Sequence, residues 1–241
     1  MEALICLHGT NGTAEIFYKQ MLHLCPKGYR LISVQYPAYS NHEQWLKAFD
    51  KFMDTFKINK VHLFGTALGG YLAQLYTHYR PSRVVSLVLC NSFCDTQYFA
   101  DTTPLTGIFS FTPEFILKRL LVQKPQNMQL EKQISHSIDF VIQQTETVPQ
   151  EELASRLALN CTVGPVVALS LKLDQSNITI IDSLDDHTIP DRVKDEVLKL
   201  FPEARQAFLK TGGHYPFLSR HEEFNLYLEV HLRRAGYGKL V

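Results

Sequence analysis

The chain reads as an α/β protein: a mostly parallel sheet of about six strands, interrupted once by a helical insertion. Three observations point there. Short apolar runs recur at 3–7, 31–36, 60–64, 84–90, 178–181 and 207–209, with helix-patterned segments between them. The runs are largely continuous rather than alternating, which suits strands buried on both faces of a parallel sheet. From residue 94 to about 175 no convincing strand occurs, although several helical pieces do. A chain of 241 residues is long enough for one substantial core plus an insertion. The expected organisation is therefore a core of 1–93 and 176–241 carrying a helical lid of 94–175.

Each element has its own signal. The first strand, "ALICL", runs straight into "HGTNGT", and a helix with three- and four-residue apolar spacing follows over 14–24. The second strand is ended by Pro37, and a helix over 43–56 comes next. The third, "KVHLF", enters "GTALGG"; a helix over 67–79 then stops ahead of Pro81. "VVSLVLC" is the most continuous apolar run. Within the insertion, "TPEFILKRLLVQ" predicts a helix with Thr112 as N-cap and Pro113 in its first turn. After the strand ending at Ile181, Ile189, Val193, Val197 and Leu200 form a stripe on a helix opened by Pro190. The last helix is expected from "SRHE", where Ser219 and Glu222 have capping-box spacing, with Phe224, Leu228 and Leu232 as its buried face.

Composition excludes several classes. Lys+Arg and Asp+Glu number 24 each, so no net field recruits nucleic acid or an anionic membrane. The ten histidines are scattered without ligand spacing, so neither a metal nor a cofactor is expected. Five cysteines, several inside apolar runs, read as reduced thiols of a cytosolic protein, with Cys90 and Cys94 the pair to watch for reactivity. No signal-peptide pattern opens the chain and no apolar stretch approaches 18 residues.

In an open parallel sheet, function gathers at the carboxyl ends of the strands, and three loops there carry unusual residues. "HGTNGT" offers glycines and free N–H groups to an oxyanion. "GTALGG" has the glycines of a nucleophile elbow, G-x-S-x-G, but places Ala67 where the serine belongs. "DSLDDHTIP" and "KTGGHYP" then supply an acid and His214. Elbow, acid, histidine is the chain order of α/β-hydrolases, each at a strand end where that fold needs it. The acid is Asp185 or Asp186: Asp186 has the usual spacing to Pro190, whereas Asp185, the slightly preferred one, lies three residues after Asp182. His187 reads as a surface loop residue.

Longer stretches, "KVHLFGTALGGYLAQ", "LVLCNSFCDT", "ELASRLALNC" and "ARQAFLKTGGHYPFLSRHEEFNLYLEVHLRR", resemble the maspardin family of the α/β-hydrolase superfamily. The similarity extends over most of the chain. Maspardins carry a further segment before the first strand, so the chain would lack the opening strands of the usual sheet. The resemblance implies an adaptor-like protein with a protein partner, such as the cytoplasmic tail of a membrane receptor. It also implies a cytoplasmic location with peripheral association to endosomal or Golgi membranes. Family members commonly keep the elbow serine and often lack a histidine in the "KTGG" loop; this chain has Ala67 and keeps His214. That reversal fits an enzyme-like ancestor that lost its nucleophile, or a serine replaced by engineering or natural variation.

The methyl of Ala67 can neither attack a carbonyl nor be activated by His214. The leading expectation is a non-catalytic, hydrolase-like binding protein. The alternative is an ester or acyl hydrolase lacking its serine, in which the acid orients His214 and the N–H groups of Thr10 and Leu68 hold the oxyanion. Thr66 precedes the apex and should face away from the site. The lid aromatics Tyr98, Phe99, Phe109, Phe111 and Phe115 suggest a small apolar ligand or partner groove, but are expected chiefly as lid core.

Overall fold

The computed structural model describes residues 2–103, 106–121, 130–164 and 171–237. Six parallel strands make one sheet: β1 (Ala3–Leu7), β2 (Leu31–Val34), β3 (Val61–Ala67), β4 (Val84–Ser92), β5 (Ile178–Ser183) and β6 (Arg205–Leu209). Their order is β2-β1-β3-β4-β5-β6. All five pairings are parallel, with Leu7 opposite Gly65, Gly65 opposite Leu89, and Asp182 opposite Phe208. The strands are the predicted ones with ends shifted by a few residues; β3 and β4 run further, to Ala67 and Ser92.

Helices α1 (Tyr18–Leu24), α2 (His42–Thr55) and α3 (Leu68–Tyr79) precede the insertion. Helices α4 (Gln97–Thr102), α5 (Glu114–Leu121), α6 (Lys132–Glu146) and α7 (Gln150–Cys161) occupy it. After it come α8 (Asp191–Leu200), the short α9 (Pro216–Ser219) and α10 (His221–Arg234). Side chains on a strand point alternately to its two faces, so two apolar layers form. Ala3, Ile5 and Leu7 of β1 join α2, α3 and α8 on one face. Leu4 and Cys6 join Phe17, Leu24, Phe224, Leu228 and Leu232 on the other. The insertion has its own small cluster, with Phe109, Leu117, Val148, Leu153 and Leu157.

Neither predicted capping residue stands directly before its helix, since α5 begins at Glu114 and α10 at His221. The Ser219 hydroxyl donates to the Gly212 carbonyl (2.6 Å) rather than capping α10, whose N-terminus has no side-chain cap. Thr112 likewise turns back to the Ile108 carbonyl (2.9 Å). In both cases a nearby carbonyl takes the hydroxyl proton, the competition that makes spacing rules permissive. The lid aromatics also divide differently from expectation. Phe109 is buried, but Phe111, ahead of α5, is 86% exposed, and Phe115 is 71% exposed because only one stripe of α5, centred on Leu117, faces the insertion core. Among the described residues no helix is long and apolar enough to cross a membrane.

Candidate active site

The site is built at the carboxyl ends of β1, β3, β4, β5 and β6. β3 passes directly into α3 at Ala67, whose backbone sits at φ 48°, ψ −120°. A non-glycine residue held there costs on the order of 1–3 kcal/mol and persists only where the surroundings impose it. They do so by close packing. A Cβ on Gly69 would lie 2.1 Å from the Leu7 carbonyl oxygen, so the first turn of α3 can sit against the end of β1 only with glycine there. Ser92, at the end of β4, donates its hydroxyl to the Ala67 carbonyl (2.9 Å). The strained elbow of a nucleophile is thus present, with Ala67, a residue 9% exposed, at its apex.

Thr66 is 2% exposed and precedes the apex, opposite Cys90 of β4, so its hydroxyl is buried rather than presented at Ala67. Burial pushes the Cys90 thiol well up and the Cys94 thiol to about 12, so neither is a ready nucleophile. All five cysteines are free thiols, and only Cys25 is exposed.

His214 meets Asp186: its Nδ1 lies 3.1 Å from the carboxylate Oδ1. The slight preference for Asp185 is corrected. Asp185 accepts instead from the backbone N–H groups of Gly212 (3.1 Å) and Gly213 (2.8 Å), bracing the loop that carries the histidine. Asp186 is 1% exposed and also accepts from the Thr188 N–H (2.9 Å). Burial alone would raise its carboxyl. His214, the Thr188 N–H and Lys194 together outweigh that and hold it below the ordinary value, which keeps it ionised to orient an imidazole. His187 is exposed and outside this arrangement.

The "HGTNGT" loop closes the other side of the apex. A Cβ on Gly9 would lie 3.2 Å from the Ala67 Cβ, which shows how closely the loop approaches the elbow. Leu68 opens α3, and the first N–H groups of a helix have no intrahelical partner. Thr10 follows Gly9 on the opposing loop. His8 takes no part: it is buried, stacked on Tyr36 (centroids 4.2 Å apart), and burial together with nearby Arg156 lowers it to about 3.

Three residues were not singled out from the sequence. Asn91, at φ 40° on the end of β4, donates to the Gly213 (3.1 Å) and His214 (3.2 Å) carbonyls and accepts from the Ser183 N–H (3.0 Å). Its own N–H donates to Asp182 (2.7 Å), a carboxyl that burial raises to about 6. Lys194 of α8 donates to the Asp186 carbonyl (2.9 Å). Arg156 of α7 is 1% exposed and donates to the Gly12 carbonyl (2.7 Å). The available signals were a polar residue directly after the most apolar strand, and charged residues on apolar helical stripes. Among the described residues no group of three or more His, Cys, Asp and Glu could hold a metal ion.

A parallel sheet, a strained strand–helix elbow and a histidine–aspartate pair from the last two strand ends define the α/β-hydrolase class. Residues 2–220 match the family described as alpha/beta hydrolase fold. The enol-lactonase from Burkholderia xenovorans LB400 superposes with a TM-score of 0.79, covering 96% of this chain and 91% of that one, at 15% identity. Within that class the chain belongs to the maspardin family. It is 42% identical over 233 residues to maspardin of Danio rerio, spanning 96% of this chain and 74% of that protein. Identity to human maspardin is also 42%, over 232 residues and 74% of its length.

Proposed function

We propose that the chain as it stands is a non-catalytic member of its family, binding through its hydrolase-like site and helical insertion, with a protein segment as partner. The observation that carries this reading is Ala67 at the elbow apex. In serine hydrolases, losing the nucleophile costs on the order of 10⁶ in turnover, leaving about 10³–10⁴ over water from binding and the oxyanion hole. The exposed Phe111 and Phe115 offer apolar contact surface on the insertion. The partner we propose is the cytoplasmic tail of a membrane receptor. The matching location is the cytoplasm, with peripheral association to endosomal or Golgi membranes.

A second reading, a silenced ester or acyl hydrolase, is favoured by the intact pairing of His214 with Asp186 and by the strained elbow that persists without its serine. One experiment addresses both: fluorophosphonate labelling of the chain and of its Ala67→Ser form. The original chain should remain unlabelled, and labelling at its own site would sink the non-catalytic reading. Labelling of the serine form alone would support the silenced hydrolase. No labelling of either would mean the site has decayed beyond its nucleophile.

A further inference from the structure

The insertion grips the "HGTNGT" loop from three helices at once. Asn11 donates to the Leu121 carbonyl at the end of α5 (3.0 Å). From α6, Thr145 Oγ1 accepts the Gly12 N–H (2.8 Å), and Gln144 Oε1 accepts the Thr13 hydroxyl (2.6 Å). From α7, Arg156 Nη1 donates to the carbonyls of Gly12 (2.7 Å) and Thr10 (3.4 Å).

Arg156 is the costly part of this grip. It sits on a helix whose Leu153 and Leu157 build the insertion core; both terminal nitrogens of its buried guanidinium find acceptors, while Nε has none. Its Nη2 pairs with Glu152 (3.2 Å), which in turn accepts from Gln35 (3.1 Å). Gln35 Oε1 accepts the Ala14 N–H (3.0 Å), so the circuit returns to the far end of the same loop. The guanidinium carbon also lies 5.9 Å over the Tyr36 ring, whose hydroxyl donates to the His8 carbonyl. Every partner of the buried charge therefore leads back to the loop beside the elbow. Of these partners only Glu152, one turn earlier on α7, belongs to the insertion itself.

We propose that Arg156 is a positioning residue: through the Thr10 and Gly12 carbonyls it holds the loop so that the Thr10 N–H faces the elbow apex. The oxyanion site is thereby assembled by the insertion. This inference rests on the silenced-hydrolase reading of the site. An arginine suits the task because its planar fork reaches the loop and Glu152 together, which one lysine ammonium cannot do.

The test compares Ala67→Ser with Ala67→Ser/Arg156→Met for two readouts: the rate of fluorophosphonate labelling and amide hydrogen exchange over residues 9–13. Labelling should slow at least 30-fold and loop exchange should quicken at least tenfold, while exchange in β3 and α3 stays unchanged. Either readout unchanged overturns the proposal. Faster exchange in β3 and α3 as well would show a general structural role and overturn it too. Should Arg156→Met not fold, Arg156→Lys takes its place, with smaller changes of the same sign; unaltered labelling or loop exchange again overturns it. If Ala67→Ser itself is not labelled, the silenced-hydrolase reading fails separately. Loop exchange in Arg156→Met on the original Ala67 chain then decides whether Arg156 holds the loop, unchanged exchange overturning it.

Discussion

Asn91 and Gly69 show how much of the site depends on single residues that touch no reacting atom. Asn91 ties β4 to β5 and both to the histidine loop through four hydrogen bonds. Its replacement by alanine leaves the buried Ser183 N–H and Gly213 carbonyl without these partners, at about 1–3 kcal/mol each, and keeps a positive φ that alanine tolerates less well. Asn91→Ala should therefore lower unfolding free energy by about 3 kcal/mol in a denaturant titration; a loss below about 1 kcal/mol would contradict this role. Gly69→Ala should be worse, because its methyl meets backbone at 2.1 Å and backbone cannot rotate away. Loss of soluble protein is expected. Gly107→Ala is the control: nothing lies within 4 Å of its added methyl, and its melting temperature should hold.

Among the elements, α5 separates packing from surface most sharply. Leu117 is fully buried against Phe109, Val148 and Leu153, whereas Phe115, two residues away, is 71% exposed. Leu117→Ala should cost about 2–5 kcal/mol, as buried leucines do. Phe115→Ser should stay within about 0.5 kcal/mol of the parent. Equal losses in thermal unfolding would mean the helix is seated differently. This helix also marks how far sequence reading reaches. Its existence followed from apolar spacing, but its start did not: the helix begins at Glu114, and the Thr112 hydroxyl donates to the Ile108 carbonyl. The strands were legible because burial on both faces leaves an uninterrupted apolar run. The elbow was legible because close backbone approach demands glycines. Whether Asp185 or Asp186 meets His214 was not: adjacent residues in a loop point different ways according to backbone turns that no spacing encodes. Arg156 and Asn91 escaped notice for a related reason, since their partners lie 144 and 122 residues away in sequence.

Across the whole molecule, the two ends of the sheet do different electrostatic work. The carboxyl end holds the ionised Asp186 with His214; the opposite end holds a buried neutral chain. There Thr179 meets His231 Nδ1 (2.7 Å), His231 Nε2 meets Ser86 (2.7 Å), and Ser86 meets His62 Nδ1 (2.7 Å), with Glu2 3.5 Å from His62 Nε2. With both imidazoles neutral and protonated on Nε2, each donor points at one acceptor in turn from Thr179 to His62, whose own Nε2 makes no hydrogen bond. Burial lowers His231 to about 3 and holds His62 below its ordinary value; His8, at the other end, is likewise near 3. An unfolded histidine titrates near 6.5, so between 6.5 and 3 the native state binds fewer protons than the unfolded one. The stability these histidines contribute is complete above pH 6.5 and is lost as pH falls. His8 and His231 each account for about 2 kcal/mol between pH 6.5 and 5 at 1.36 kcal/mol per pH unit. Asp182 acts oppositely. Its native carboxyl, raised to about 6, takes up a proton before the unfolded one does near 3.9, regaining about 1.4 kcal/mol by pH 5. The depressed Asp186 and Glu229 lose their contributions only below about pH 4.5, outside this window. The histidines win, so urea unfolding should show about 3 kcal/mol less stability at pH 5 than at pH 7. His231→Gln, which cannot take up the proton, should remove close to half of the histidine-driven loss. Stability that is flat or rising toward pH 5 would mean the buried chain is already protonated in the native protein, and the neutral relay from Thr179 to His62 would be wrong.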